Sequence, residues 1–437
     1  MKQLISTSTV NLQRKTNAEF YSLPAQTRKK IFSDLVTEAG PLIVLHYGQL
    51  IPNVEEAAKM KVTKLADYWM CGQEVPTKTY ITSFDGTLPL LNENLDDWES
   101  WKLSSKYQLP MEVHAMEVPV ALAHYRYRDE HYDVLCSKLF LTALTRFCEG
   151  NARSYRFDIE LIGERILIEE APLADASLGG TYSDSALSQL TGIKDRRQMY
   201  EIMKCSMGDL TCLYYSPVSI ALETKLEKPN DVNTEIEADD KEIPVKPTFD
   251  DELRKAFPDI LTTDDFIDTC ITSFRITYSK VNLTGGLRPK HSNNTMELIV
   301  RRKEGFNPNS LLVRWPECFF SNSQGVVTVL HSKGQVAEQP AVHDPVYPPS
   351  HKRHLDLVAQ TLRLLCEAIK SHAETGKTKF SLVWIDERDT DSSSPQKMKL
   401  YRRRDVPKPS ALVLYEGMRK VVEGLKRRKD SNKDSVI

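Results

Sequence analysis

The chain has no Cys-x-x-Cys pair among its eight cysteines, Cys71, Cys136, Cys148, Cys205, Cys212, Cys270, Cys318 and Cys366. That scatter argues against a disulfide framework and against structural zinc, and leaves reduced, mostly buried thiols. No stretch approaches the ~20 apolar residues of a membrane-spanning helix, and the opening MKQLISTSTVNLQRKTNAEF holds no apolar run of signal-peptide length. An intracellular protein is expected, in nucleus, cytoplasm or both, with no membrane partner. An excess of one charge is also missing, because 58 Lys and Arg face 60 Asp and Glu. That balance excludes a protein that coats nucleic acid by global basicity, so any RNA contact must be a local patch, and no DNA partner is expected. Glycine-rich phosphate loop, Ser-His-Asp arrangement, dinucleotide fingerprint and solenoid repeat are all absent. The apolar share of 41% over 437 residues fits a globular chain with a sizeable core.

Strands and helices alternate irregularly along the chain. PLIVLHYGQL (41–50) reads as a strand, and VEEAAKMKVTKLADYWM (54–70) has helical spacing at Ala57, Met60, Val62 and Leu65. MEVHAMEVPVALAHY (111–125) alternates as a half-buried strand, while YDVLCSKLFLTALTRFCEG (132–150) predicts a helix stopped near Gly150. RSYRFDIEL and RILIEEAP, joined by IGE, predict a hairpin. Residues 227–248, acidic and proline-bearing, read as a surface insertion. DDFIDTCITSFRI (264–276) is a helix or helix-to-strand candidate, TMELIVRR (295–302) a strand, and HLDLVAQTLRLLCEAIKSH (354–372) a strongly periodic helix. KFSLVWIDE and QKMKLYRRR follow as strands, and SALVLYEGMRKVVEGLKRRK (410–429) as a last helix.

One stretch carries candidate chemistry. In MGDLTCLYYSPVSIALETKL (207–226), Asp209 stands 14 residues ahead of Glu223-Thr224-Lys225. Residues i and i+2 of a strand share a face, so Glu223 and Lys225 can address one site while the Thr224 carbonyl still reaches a metal. Mg²⁺ or Mn²⁺ needs such hard oxygen ligands to polarise a phosphodiester and to lower the pKa of an attacking water. Asp209 would add a second carboxylate from a neighbouring strand, and Lys225 would orient the water or stabilise transition-state charge. The pattern arises easily in a chain that is 27% charged, and a surface strand ending on charges is the alternative.

Taken in order, WKLSSKYQ (101–108), LTALTRFCEG (141–150), MGDL (207–210) and ALETKL (221–226) resemble the successive motifs of the decapping exoribonuclease (DXO) family. That family removes incomplete or non-canonical caps from RNA 5′ ends. FSLVWIDE and the C-terminal helix are similar to its last strand and helix, so the likeness covers residues 90–226 and 350–405. The resemblance implies a single α+β domain over 1–437, with a mixed, largely antiparallel sheet and a PD-(D/E)XK nuclease-like core. Lys106 would grip a phosphate where the family has arginine. Glu149 follows Thr145 where the family has glycine. Met207-Gly208-Asp209 replaces Glu-hydrophobic-Asp, and Glu223-Thr224-Lys225 keeps both charges of Glu-hydrophobic-Lys.

On this resemblance Asp209, Glu223, Glu149 and the Thr224 carbonyl hold Mg²⁺ or Mn²⁺, Lys225 assists the attack, and Lys106, Glu149 and Lys225 face the substrate. The departures point one way. Lysine lacks arginine's bidentate fork, threonine narrows a glycine's space, and methionine is a poor ligand for oxygen-seeking cations. One metal site is therefore expected rather than two, and decapping, pyrophosphohydrolase and 5′-3′ exoribonuclease chemistry is expected to be impaired or lost. The alternative is an inactive pseudo-enzyme that binds RNA, or a protein partner, as a regulator in RNA surveillance or stress response. A different register would place Glu201 of YEIMKCSMGD in the missing acid's position. Glu149 as an ordinary helix-end residue, Lys106 as a surface lysine and Met207 as core filling stay open. His351, His354, His124 and His131 read as surface histidines, and Arg126–Arg128 and Tyr401–Arg404 as solvated faces. KRRKDSNK (426–433) is either a nuclear-import signal or a soluble helix end.

Overall fold

A computed structural model describes residues 31–32, 34–46, 60–74, 79–83, 89–92, 95–104, 131–151, 154–171, 182–192, 198–221, 274–278, 281–285, 295–373, 378–384 and 397–404. The chain runs through β1 (Ile43–His46), β2 (Lys61–Glu74), β3 (Thr79–Ser83) and β4 (Val134–Ser137) into α1 (Lys138–Cys148). The hairpin β5 (Tyr155–Ile162) and β6 (Arg165–Glu170) precedes α2 (Ser183–Thr191). A second hairpin, β7 (Gln198–Met207) and β8 (Leu210–Pro217), leads to β9 (Ile220–Ala221). Then come β10 (Phe274–Tyr278), β11 (Val281–Gly285), β12 (Thr295–Arg302) and α3 (Trp315–Phe320). The described chain continues with β13 (Gly325–Ser332), β14 (Gln335–Val336), β15 (Ala341–His343), α4 (His351–Ala373), β16 (Lys379–Trp384) and β17 (Lys397–Arg402).

Twelve strands form one sheet in the order β1-β17-β16-β5-β6-β4-β8-β7-β2-β3-β11-β10, and β14-β13-β12-β9 form a smaller one with β15 beside β13. Most pairings are antiparallel. The parallel exceptions are β3 with β11, β4 with β6 and with β8, and β12 with β13. The class is α+β with a mixed, largely antiparallel sheet, as expected.

Local sequence explains several elements. In β4 all four residues are buried, because the strand lies between two parallel neighbours and needs apolar side chains on both faces. The helix expected over 132–150 is therefore strand first and helix second. Ser137 makes the switch by accepting a hydrogen bond from the Phe140 amide as N-cap, and Gly150 ends the helix at φ +70°. The helix expected over 54–70 is not formed within its described part. Lys61–Glu74 is a strand whose pairing with β7 shifts register between Lys64 and Ala66. That bulge inserts one residue into the alternation of two, and so produced a spacing that resembles a helix.

α1 and α4 lie over one face of the large sheet. Phe140 and Leu144 from α1, and Leu362, Leu365 and Ile369 from α4, pack with Phe157, Ile159, Phe380 and Leu382 from the strands. Each such side chain contributes about 1.5–3 kcal/mol on burial. The same cluster takes Met203, Cys205 and Met207 from alternate positions of β7. A second core, including Trp101, Leu190, Ile220, Met296 and Val327, joins the small sheet to α2. β8 passes into β9 within three residues and β9 pairs with β12, so the two sheets meet at the end of the β7/β8 hairpin.

Candidate active site

Lys106, Glu223, Thr224 and Lys225 lie outside the described residues, as do residues 111–125, 227–248 and 410–429. Glu149, Asp209, Thr145 and Met207 are described. Glu149 caps the C-terminus of α1 in a mostly buried polar knot. One carboxylate oxygen accepts from the Trp315 indole N–H at 2.6 Å, and the other from Arg146 at 3.2 Å. His354, at the start of α4, lies 4.0 Å away and stacks on Trp315. Burial lowers the His354 pKa, only partly opposed by Glu149, so the ring is neutral near pH 7. His351 and His354 both meet Trp315, a correction to the surface reading.

Asp209 is not on a strand, contrary to expectation. With Gly208 it forms the two-residue turn of the β7/β8 hairpin. Its side chain is 73% exposed and pairs with Arg363 of α4 at 3.0 Å. Glu149 thus touches α4 at residue 354 and Asp209 at residue 363. Nine residues of helix separate those stations by about 13 Å at ~1.5 Å per residue. Each acid is already engaged at its own station, Glu149 by Trp315 and Arg146 and Asp209 by Arg363.

Met207 explains part of the dispersal. It is 1% exposed and packs in the main core, in register with Met203 and Cys205. An acid at 207 would be buried against the helices rather than open to a substrate. Thr145 is fully buried, and its hydroxyl donates back to the Leu141 carbonyl at 2.8 Å.

The structure brings together a different set, of which the motifs had offered only Glu201, as the alternative register. Glu201 of β7 stands opposite Asp67 of β2 on one side and Ser216 of β8 on the other. The Lys64 ammonium lies between the two acids, 2.6 Å from Asp67 and 2.8 Å from Glu201. Both carboxylates are 2% exposed or less, and the lysine side chain is 17% exposed. Ser216 lies 3.5 Å from Ser321, which meets the Lys138 ammonium at 2.7 Å. Lys138 also pairs with Glu297 of β12 at 2.7 Å. Three acids and two ammonium groups therefore line the seam where the two sheets meet.

Charge balance sets the chemistry of that seam. Burial pushes the Glu201 carboxyl up to about 7; Lys64 pulls it down, Asp67 adds to the rise, and Lys138 opposes it. Beside the shared ammonium, this carboxyl exchanges its proton near neutrality. Glu201 was within sight of the sequence as the alternative register. Asp67 and Lys64 were hidden by the bulge.

The donor set can be tested against the expected divalent ion. Among the described residues no group of three or more His, Cys, Asp or Glu is arranged to hold a metal. Asp67 and Glu201 are close enough in register to share an ion, but Lys64 occupies the space between them. The described residues therefore do not fit Mg²⁺ or Mn²⁺.

No family model matches the chain, and neither does any curated protein. Among solved structures it is similar to K. lactis Dxo1 in complex with manganese, at 10% identity and a TM-score of 0.49, covering 84% of this chain and 99% of that one. It is also similar to Candida albicans Rai1 in complex with pU5-Mn²⁺, at 9% identity and a TM-score of 0.49, covering 88% and 98%. S. pombe Rai1 is a third, at 12% identity and a TM-score of 0.47, covering 83% and 99%. The chain's likeness is thus to Dxo1 and Rai1 structures, over most of its length and at low sequence identity.

Proposed function

We propose that this protein engages RNA 5′ ends and that its decapping, pyrophosphohydrolase and exoribonuclease chemistry is impaired or lost. The RNA half of the reading rests on the order of the four motifs that end at Glu223-Thr224-Lys225. The second half rests on one observation: Glu149 and Asp209 are held at separate stations of α4 while Met207 is sealed in the core. Any Mg²⁺ or Mn²⁺ would then be taken at one site, by Glu223 and the Thr224 carbonyl with at most one of those acids. Lys225 would assist attack there, and Lys106 would grip a phosphate. The same dispersal favours the second reading, a pseudo-enzyme that binds RNA or a protein partner in the nucleus or cytoplasm.

The test uses 5′-end-labelled RNAs carrying triphosphate, monophosphate, unmethylated guanosine or NAD ends, with Mn²⁺ or Mg²⁺. Turnover is expected to be weak or absent while 5′-phosphorylated RNA still binds. Robust turnover that disappears in Glu223→Ala/Lys225→Ala overturns the impairment. Absence of both turnover and 5′-end-dependent binding overturns the RNA reading.

A further inference from the structure

We propose that Lys64 is a built-in counter-ion in the place of a divalent cation, so that the Asp67–Glu201 site takes no metal until the lysine is removed.

The backbone is shaped for this contact. Lys64 and Asp67 are three residues apart, and on a regular strand an odd spacing puts side chains on opposite faces. The register shift between Lys64 and Ala66 supplies one extra residue, which turns both side chains to the face of Glu201. Without the bulge the ammonium would leave two buried acids facing each other.

The electrostatics give the contact its purpose. Directly opposed residues of an antiparallel pair have Cβ atoms about 4.5–5.5 Å apart, and two carboxylates buried at that range and both ionised need a positive charge between them. Lys64 meets that need with one positive charge and donor distances of 2.6 and 2.8 Å. Mg²⁺-type ions meet the same need with two charges, commonly using one or two carboxylates and several waters. Removing the ammonium would leave the Asp67 and Glu201 carboxylates facing the vacated space. Lys138 does not fill it, being engaged by Glu297 and Ser321.

The experiment measures ion uptake rather than turnover, so it stands apart from the fate of the RNA reading. Full-chain wild type, Glu201→Gln and Lys64→Ser are titrated with Mn²⁺, and the loss of the free-ion EPR signal is followed. Wild type and Glu201→Gln are expected to take up equal Mn²⁺, because any ion held elsewhere is common to both. Lys64→Ser is expected to bind one further ion, lost again in Lys64→Ser/Glu201→Gln, and to refold better in Mn²⁺ than in EDTA. A Glu201-dependent ion in wild type overturns the proposal. So does a Lys64→Ser protein that neither gains an ion nor refolds better with Mn²⁺.

Discussion

A single carboxyl, Glu201, sets the most informative pH dependence in the molecule. Its ordinary value of 4.5 rises to about 7 in the fold, where burial outweighs the help of Lys64 and Lys138, and Asp67 adds to the rise. The folded state therefore binds this proton more tightly than the unfolded chain. The sign follows: stability falls as pH rises from the unfolded value through the folded one, and the loss is complete above it. A displacement of that size corresponds to roughly 3 kcal/mol. In urea denaturation, Glu201→Gln is expected to gain on wild type between pH 5 and pH 8 by up to that amount. Lys64 keeps Asp67 as a partner in the variant. A difference that does not change with pH would show that Glu201 is ionised throughout. The described cysteines behave otherwise: Cys148, Cys205 and Cys366 are buried, with thiols pushed up to about 12, so they fill core rather than react.

At the scale of elements, the β7/β8 hairpin shows which part of the MGD motif matters to the fold. Gly208 takes φ +68° at the first turn position, which a side chain rarely adopts, and an added Cβ would come within 2.9 Å of the Arg363 guanidinium. Gly208→Ala is expected to cost about 1 kcal/mol or more, through turn strain and displacement of Arg363 from Asp209. Asp209→Ala removes only an exposed ion pair and should cost under about 1 kcal/mol. Urea midpoints of the two variants check the order, and the reverse would make Asp209 the structural residue. The hairpin β5/β6 and helix α4 were legible in the sequence because their patterns are local, with an IGE turn between alternating runs and an apolar stripe every three to four residues. β2 was not legible, since its bulge broke the period that identifies a strand.

Across the whole molecule, the start of the described chain is locked by charge to β5, inside the large sheet, and to the residue that follows β17. Asp34 accepts from Arg156 at 2.6 and 2.8 Å and from Arg403 at 3.3 Å. Arg156 also donates to Asp158 at 2.9 Å and to the Ile31 carbonyl at 2.7 Å. Burial raises the Asp34 pKa, but the hydrogen bond and charge of Arg156, with Arg403, more than reverse this and leave it below the ordinary 3.8. A depressed acid stabilises the fold above its unfolded pKa and loses that contribution as pH falls through the folded value. Asp34→Asn is therefore expected to destabilise by about 1–3 kcal/mol at pH 7 and by progressively less as the pH falls below 3.8. Proteolysis near residue 31, followed as the pH is lowered, checks whether this contact holds the segment down.

By itself the sequence determined the reduced buried thiols, the long helix and the β5/β6 hairpin, because each follows from composition or from a period spanning a few neighbouring residues; the α+β class came with the resemblance in motif order. It also named Glu149, Asp209 and Met207, but not their distances. Only the tertiary structure decided that Glu149 closes a knot with Trp315 and His354, that Asp209 lies in an exposed turn, and that Lys64, Asp67 and Glu201 meet. The physical reason lies in the sheet. Strand pairing sets residues from distant parts of the chain a few ångströms apart, and one inserted residue in β2 chooses which face their charges share.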